Sequence, residues 1–191
     1  MKWIKKHLVT IIIIAVLLVG LGFLFYPTLA DYWNRFHQSR AIAGYTKEVA
    51  AMDPHEYEKL IADAHAYNRR LSENGINWKM SDEELAEYNS LLNFTQNGIM
   101  GYIVIDKINV MLPLYHGTSE SVLQTSIGHI DGTSLPVGCE SYDKKEAVIT
   151  DPTEGSHCVV SGHRGLPSAR LFTDLDKLVE GDTFSLNVLD E

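Results

Sequence analysis

The chain has 191 residues, of which 45% are hydrophobic and 21% are charged, and its formal net charge at pH 7 is −9. The length suits one folded domain with accessory segments, and the composition excludes an intrinsically disordered chain. The negative charge and the lack of a basic stripe argue against a nucleic-acid partner, because binding to phosphates requires a basic surface.

The first 30 residues predict a membrane anchor. The apolar run from Leu8 to Tyr26 can cross a hydrocarbon core of about 30 Å at about 1.5 Å per residue. Lysines precede it at positions 2, 5 and 6, which predicts an amino terminus inside the cell and the remainder outside. The alternative is a signal peptide cleaved near Thr28–Ala30, but the apolar cores of signal peptides are shorter, about 7–15 residues.

Residues 31–97 carry helical signals. Asp53 and Pro54 mark a helix start, and apolar residues then recur at helical spacing as far as Gly75. A second capping box covers Ser81–Glu84. We expect these helices to pack on the following domain or to hold it away from the membrane.

Between residues 98 and 191 the apolar period is two, which indicates β-strands. Strands are predicted from Tyr102 to Ile105, from Ile108 to Leu114, from His157 to Ser161 and from Thr183 to Leu189. Pro113 cannot donate a ladder hydrogen bond, so its strand is expected to lie at a sheet edge or to finish near the proline. The stretch 140–156 is polar, and it contains a predicted turn at Asp151–Gly155.

His163 is the strongest candidate for a functional group. It follows an apolar strand that ends at Gly162, and Gly165 and Pro167 keep the next residues irregular. Catalytic groups concentrate on loops held by a rigid scaffold, and a histidine can exchange a proton near neutral pH. A structural histidine is the alternative that the pattern alone leaves open.

The two cysteines, Cys139 and Cys158, form no Cys-x-x-Cys pair, so a structural zinc site is not expected. Outside the membrane they could form a disulfide or remain two buried thiols, and both alternatives stay open. The histidines at 116, 129 and 157 show no ligand spacing with Cys158. The sequence therefore predicts no metal and no cofactor.

Four ordered segments resemble class C sortases, the pilus-assembling cysteine transpeptidases of Gram-positive bacteria. The histidine segment comprises Ser161–Ser168 and Leu171–Leu175. The other segments, in the family's order, are Gly101–Ile103, Leu114–Ser119 and Gly128–Gly138. The resemblance covers nearly everything from Gly98 to Glu191 and, more loosely, the segment before it.

The resemblance implies a mainly β fold, a mostly antiparallel sortase-type β-barrel preceded by a transmembrane helix and juxtamembrane helices. It divides the chain into a membrane anchor at 1–30, a helical juxtamembrane or lid-region segment at 31–97, and a barrel domain at 98–191. In the family a nucleophilic cysteine and an arginine follow the histidine on later strands, and neither segment occurs here. We therefore expect about the first half of the barrel and no turnover by this polypeptide alone.

The resemblance also implies the chemistry. A sortase cysteine attacks the threonine carbonyl of a Leu-Pro-x-Thr-Gly-like sorting signal, a histidine protonates the leaving amine, and an arginine stabilises the oxyanion. An amine, typically from a pilin lysine, then resolves the thioacyl intermediate. His163 matches the family's histidine, and Gly132, Thr133 and Ser134 are candidates for the peptide-binding groove.

Other residues near the histidine match the family's pattern poorly. Arg164 and Arg170 follow it too closely to be the family's arginine. Cys158 precedes it by five residues, and an odd separation along a strand places the two side chains on opposite faces. No nearby cation would lower the pKa of the Cys158 thiol. Cys139 stands where the family commonly has glycine.

Many class C sortases have a lid, whose Asp-Pro-aromatic anchor lies in the active-site groove. The Asp-Pro pair in residues 31–97, Asp53-Pro54, stands earlier than the lid, and its helix-cap context explains it. Trp78 stands at the lid's position. It is either a substitute plug for the groove or an ordinary exposed or helix-packed tryptophan.

The sequence thus predicts a sortase-family transpeptidase with a single amino-terminal anchor in the cell membrane and an extracellular domain. Its expected partners are pilin or surface-protein sorting signals, an amine acceptor such as a pilin lysine, and the membrane. The alternative is a truncated, membrane-anchored protein that binds such signals without reacting, and an unrelated surface adhesin is a third possibility.

Overall fold

The computed structural model describes residues 2–138, 142–143, 148–149 and 156–189, and it places long helices before a small β-sheet. The helices are α1 (Lys2–Ala50), α2 (Pro54–Asn74), α3 (Asp82–Ser90) and α4 (Glu120–Leu123). The strands are β1 (Ile99–Ile105), β2 (Val110–His116), β3 (Ile127–His129), β4 (Tyr142–Asp143), β5 (Val148–Ile149), β6 (Val160–Gly162) and β7 (Ser185–Asn187). Short 3-10 turns cover Asp106–Ile108 and Leu175–Lys177.

Helix α1 contains both the apolar run and the start of the predicted juxtamembrane segment. Pro27 lies inside it, where it removes one backbone hydrogen bond without ending the helix. Among the described residues, α1 is the one helix that is long and apolar enough to cross a membrane. The predicted boundary between residues 30 and 31 falls within this helix, so the apolar run continues directly into the next segment.

The second half of α1 packs on the sheet domain. Tyr45 is only 1% exposed, and its hydroxyl donates to Met100 O at 2.9 Å and accepts from Leu189 N at 2.7 Å. This hydroxyl joins α1 to β1 and to the chain after β7. Gln38 donates from Nε2 to Thr125 O at 2.5 Å. Of the two alternatives predicted for the helical segment, this half of α1 shows packing on the following domain.

Both predicted helix starts are confirmed. Asp53 caps α2 because its carboxylate accepts from His55 N at 2.9 Å, and Pro54 occupies the first turn. At α3 the Ser81 hydroxyl accepts from Glu84 N at 3.2 Å, and the Glu84 carboxylate accepts from Ser81 N at 2.7 Å. These reciprocal bonds satisfy two backbone donors that the helix itself leaves unpaired.

The five-stranded sheet has the strand order β6-β3-β2-β1-β7. The pairs β6-β3, β2-β1 and β1-β7 are antiparallel, and β3-β2 is parallel. β4 and β5 form a separate antiparallel pair. The prediction of a mainly β, mostly antiparallel domain is confirmed, and in the described part of the chain β6 and β7 are the outer strands of the larger sheet.

The structure excludes one of the two alternatives predicted for Pro113. Its strand, β2, does not lie at an edge, because it stands between β1 and β3, and it finishes near the proline, at His116. Pairing with β3 begins at Leu114, opposite Ile127, so the proline stands just before its second partner strand starts. There it disturbs no ladder bond to β3. The Ser126 hydroxyl donates to the Pro113 carbonyl.

One hydrophobic core joins the sheet to α2, α3 and the loop after β6. Its buried members include Tyr67, Tyr88, Met100, Leu112, Leu114, Ile127, Leu135, Leu171, Phe172 and Val188. The loop that follows His163 therefore contributes two core side chains, Leu171 and Phe172, and is anchored by burial as well as by its hydrogen bonds.

Candidate active site

His163 lies directly after β6, an outer strand of the sheet. β6 pairs with β3, and Gly162 stands opposite Ile127. A Cβ at Gly162 would lie 2.7 Å from the Phe172 ring and 2.8 Å from the Ile127 side chain, so only glycine fits. The strand therefore ends with an aromatic ring against its backbone, and the His163 side chain that follows is exposed.

The loop after His163 folds back onto the strand end. Phe172 N donates to His163 O at 3.1 Å, and Gly165 N donates to the Thr173 hydroxyl at 3.0 Å. Ala169 pairs with Leu166 in an isolated bridge inside the loop. These contacts fix the backbone after the imidazole, and the pairing of β6 with β3 fixes the backbone before it, as a loop that presents a catalytic group requires.

The two arginines near the histidine are both in ion pairs. Arg164 lies 2.9 Å from the Asp176 carboxylate, and Arg170 bonds to Asp174. Hydrogen bonds from Arg170, and next from Lys177, hold the pKa of Asp174 below its ordinary value. With both guanidinium groups engaged by carboxylates, neither is free to stabilise an oxyanion in this arrangement.

The predicted groove residues lie at the start of β6, whereas His163 lies at its end. Ser134 N donates to His157 O at 3.0 Å, and His157 N donates to the Ser134 hydroxyl at 3.0 Å. Val159 N donates to the Thr133 hydroxyl at 3.3 Å. Val159 precedes β6 and His163 follows it. These contacts of the two hydroxyls are therefore with the chain at the opposite end of the strand from His163.

Thr133 and Ser134 are buried, and their hydroxyls are used in these structural bonds. Gly132 has a φ of +79°, and a Cβ there would lie 2.2 Å from Asn77 O, so the segment before α3 lies against this turn. The adjacent Trp78 side chain is 66% exposed, which fits the alternative of an ordinary exposed tryptophan. Peptide binding by Gly132, Thr133 and Ser134 stays a prediction.

Cys158 lies on the extended stretch before β6. Burial raises the pKa of its thiol to about 12, so the thiol stays protonated at neutral pH and is a poor nucleophile. Cys158 precedes β6 and His163 follows it, so the strand lies between the two residues along the chain. The raised pKa leaves the thiol without activation. Cys139 lies outside the described residues, so the predicted alternatives of a Cys139–Cys158 disulfide or two thiols also fall outside them.

A buried polar network, which no local sequence pattern signals, lies beside the groove residues. His116 on β2 and His129 on β3 are register partners, and the Tyr88 ring packs against both. The Tyr88 hydroxyl donates to His129 Nδ1 at 2.9 Å, and His129 Nε2 donates to Ser134 O at 2.7 Å. These partners select the neutral ring with its proton on Nε2.

Burial controls the charge of this network. It lowers the pKa of His129 to about 4 and raises that of the Tyr88 hydroxyl. Both ring nitrogens of His116 face carbonyl oxygens, Gly98 O at 3.0 Å and Leu91 O at 2.7 Å, which favour the protonated ring. Burial outweighs them, and the pKa of His116 is also lowered. In this geometry both histidines serve as structural groups inside the domain.

Among the residues that the structure describes, no group of three or more His, Cys, Asp or Glu side chains could hold a metal ion.

Comparison with known proteins identifies similar solved structures. Over 80% of this chain and 72% of the other, it is 49% identical to sortase C1 from Streptococcus agalactiae, with a TM-score of 0.70. Over 79% of this chain and 69% of the other, it is 36% identical to sortase C from Streptococcus pneumoniae, with a TM-score of 0.61. A lid mutant of sortase A from Corynebacterium diphtheriae is 28% identical over 73% of this chain and 68% of that chain, with a TM-score of 0.57.

No family model matches the chain, and no curated protein matches it.

Proposed function

The chain belongs to the class C sortases, and we propose that the loop after β6 carries the general acid of a sortase active site. The resemblance of Ser161–Ser168 to the family's histidine segment gives this role to His163. The observation that supports it is the position of the imidazole, which is exposed at a strand end and followed by a loop that is bonded back to His163 O. A proton donor needs access to its substrate and a fixed backbone.

In the proposed reaction, a thiolate attacks the threonine carbonyl carbon of a Leu-Pro-x-Thr-Gly-like signal and gives a tetrahedral oxyanion. The C–N bond then breaks, and the protonated imidazole of His163 gives its proton to the leaving amine. An amine such as a pilin lysine attacks the thioacyl intermediate, returns a proton to the imidazole and releases the thiolate. The description of the pneumococcal structure refers to pilin substrate specificity, which supports pilin-class substrates here.

We also propose that Cys158 is not the nucleophile and that the 191 residues do not turn over a sorting signal by themselves. The raised pKa of the half-buried thiol and the position of Cys158 at the other end of β6 from His163 support this. In the family the cysteine and the arginine follow the histidine on later strands. The chain covers 72% of sortase C1 from Streptococcus agalactiae, so that relative also contains residues that this chain does not match.

A peptide-cleavage assay tests this proposal. The 191-residue polypeptide in detergent micelles is incubated with a fluorogenic sorting-signal peptide, and sortase C1 from Streptococcus agalactiae serves as the positive control. We expect no cleavage above the buffer rate, either by the unchanged polypeptide or by Cys158→Ala. Cleavage that disappears in Cys158→Ala would overturn the proposal.

The DNA beyond the codon for Glu191 provides a second test. We expect it to encode a Thr-Cys-Thr-like segment followed by an arginine. A reading frame that encodes neither would favour the non-catalytic alternative, in which the chain binds sorting signals without reacting.

We propose that α1 anchors the chain in the cell membrane and that the sheet domain lies outside the cell. The apolar run from Leu8 to Tyr26 and the lysines before it support this arrangement. We expect the chain to stay in the membrane pellet after extraction at alkaline pH, and the sheet domain to be digested by protease added to protoplasts. A variant that begins at Tyr32 is the soluble control. A mature chain that begins near Asp31 would instead support a cleaved signal peptide.

A further inference from the structure

The loop that carries His163 is held from two sides, and one of them is helix α1. On the strand side, Phe172 N donates to His163 O at 3.1 Å, and the Phe172 ring packs against Gly162. On the helix side, Asp31 Oδ1 accepts from Arg170 N at 2.8 Å. The two backbone N–H groups that make these bonds are only two residues apart.

A second residue of α1 binds the same loop. Asn34 donates from Nδ2 to Ser168 O at 2.8 Å. Asp31 and Asn34 are three positions apart and therefore share one helix face. Both are half-buried, whereas Tyr32 and Trp33 between them are exposed. This face of α1 thus supplies an acceptor and a donor to the backbone of one loop.

The conformation of Leu171 shows why the loop needs support. Its φ is +36°, a left-handed conformation that bulky side chains rarely adopt, and it is buried in the core. It stands between Arg170, whose N–H binds Asp31, and Phe172, whose N–H binds His163 O. A strained residue persists only where its surroundings over-determine it, and the two flanking hydrogen bonds do so here.

We propose that Asp31 and Asn34 are positioning residues for His163, which they hold through the backbone of Arg170 and Ser168. The inference deepens the role proposed above for His163 and rests on it. Loss of either contact frees one side of the strained turn, and the imidazole then samples a wider range of positions. In this way α1, which contains the apolar run, also positions the loop of the active site.

Hydrogen exchange in the full chain, reconstituted in lipid nanodiscs, tests the proposal. We expect Asp31→Ala to speed exchange of the Arg170 and Phe172 amides about tenfold, the usual effect of losing a hydrogen bond to a charged acceptor. Asp31→Asn keeps an acceptor oxygen and should stay within about threefold of the unchanged chain. Asn34→Ala should also speed exchange at Phe172.

Arg35→Ala is the matched control, because Arg35 follows Asn34 directly in α1 but contacts Asn109 O at 3.3 Å instead of the loop. The Leu189 amide, which binds Tyr45 on the same helix, reports that α1 remains docked in each variant. The proposal would be overturned if the loop amides in Asp31→Ala exchanged no faster than in Arg35→Ala while the Leu189 amide stayed protected. Asp31→Asn exchanging as fast as Asp31→Ala would overturn it too.

The imidazole itself provides a second readout. In chains labelled with ¹⁵N-histidine, we expect Asp31→Ala to shift or broaden the His163 ring signals, which a His163→Gln variant assigns. Asp31→Asn and Arg35→Ala should leave these signals in place, and unchanged signals in Asp31→Ala would contradict the inference. Both readouts are recorded without substrate, so their failure is distinct from a failure of the chemistry proposed for His163.

Discussion

His129 is kept neutral by its position inside the domain. Its side chain has 0% exposure, and burial lowers its pKa to about 4, against an ordinary histidine value of about 6.5. Between these two values the unfolded chain binds more protons than the folded chain, so the folded state loses stability as the pH falls below about 6.5. The full difference between these two pKa values corresponds to roughly 3 kcal/mol in the free energy of unfolding.

Replacing His129 by Gln should flatten the pH dependence of stability. We expect the free energy of unfolding of the unchanged chain to fall between pH 7 and pH 4.5 by about 2 kcal/mol more than that of the variant. Urea unfolding in detergent micelles measures both values. His55→Gln, at an exposed position on α2, is the control and should keep the original slope. Equal slopes for His129→Gln and the unchanged chain would contradict this account of the buried ring.

Among the elements, α1 makes the most widely spaced contacts. Asp31, Gln38 and Tyr45 recur every seven residues, so they lie along one helix face. Asp31 binds the loop after β6, and Gln38 binds Thr125 before β3. Tyr45 binds both β1 and the chain after β7. The helix therefore joins parts of the domain that are far apart in sequence.

Removing the Tyr45 hydroxyl should weaken this attachment. In Tyr45→Phe the buried Leu189 N loses its acceptor and Met100 O loses its donor. We expect the free energy of unfolding to fall by about 2 kcal/mol, because unpaired buried groups carry their full desolvation cost. Tyr32→Phe on the exposed side of α1 should change it by less than about 0.5 kcal/mol. A loss in Tyr45→Phe as small as that in Tyr32→Phe would show that packing alone docks the helix.

Across the whole molecule, features that depend on neighbouring residues could be predicted from the sequence. The cap at Asp53 and the capping box of Ser81 and Glu84 involve groups within three positions of each other. The mainly β domain follows from the alternation of apolar residues. At Pro113 the sequence left an edge position open as an alternative, because the missing N–H of a proline does not show where the next strand begins.

The surroundings of the candidate site could not be predicted in the same way. The sequence indicated His163 at a strand end, but Asp31 and Arg170, which meet beside that loop, are separated by 139 positions. His116 and His129 become neighbours only through the parallel register of β2 and β3. The burial that shifts the pKa of Cys158 and His129 likewise depends on the packed structure.

The unbroken course of α1 has a consequence for how the protein could meet a substrate. Asp31 follows Tyr26 by five residues, about 7.5 Å along the helix axis. On the anchoring proposed here, one continuous helix, with no flexible linker, connects the membrane span to the domain. The loop that Asp31 binds then stays close to the lipid headgroups. The incoming signal, rather than the domain, would then have to cover any remaining gap to the bilayer.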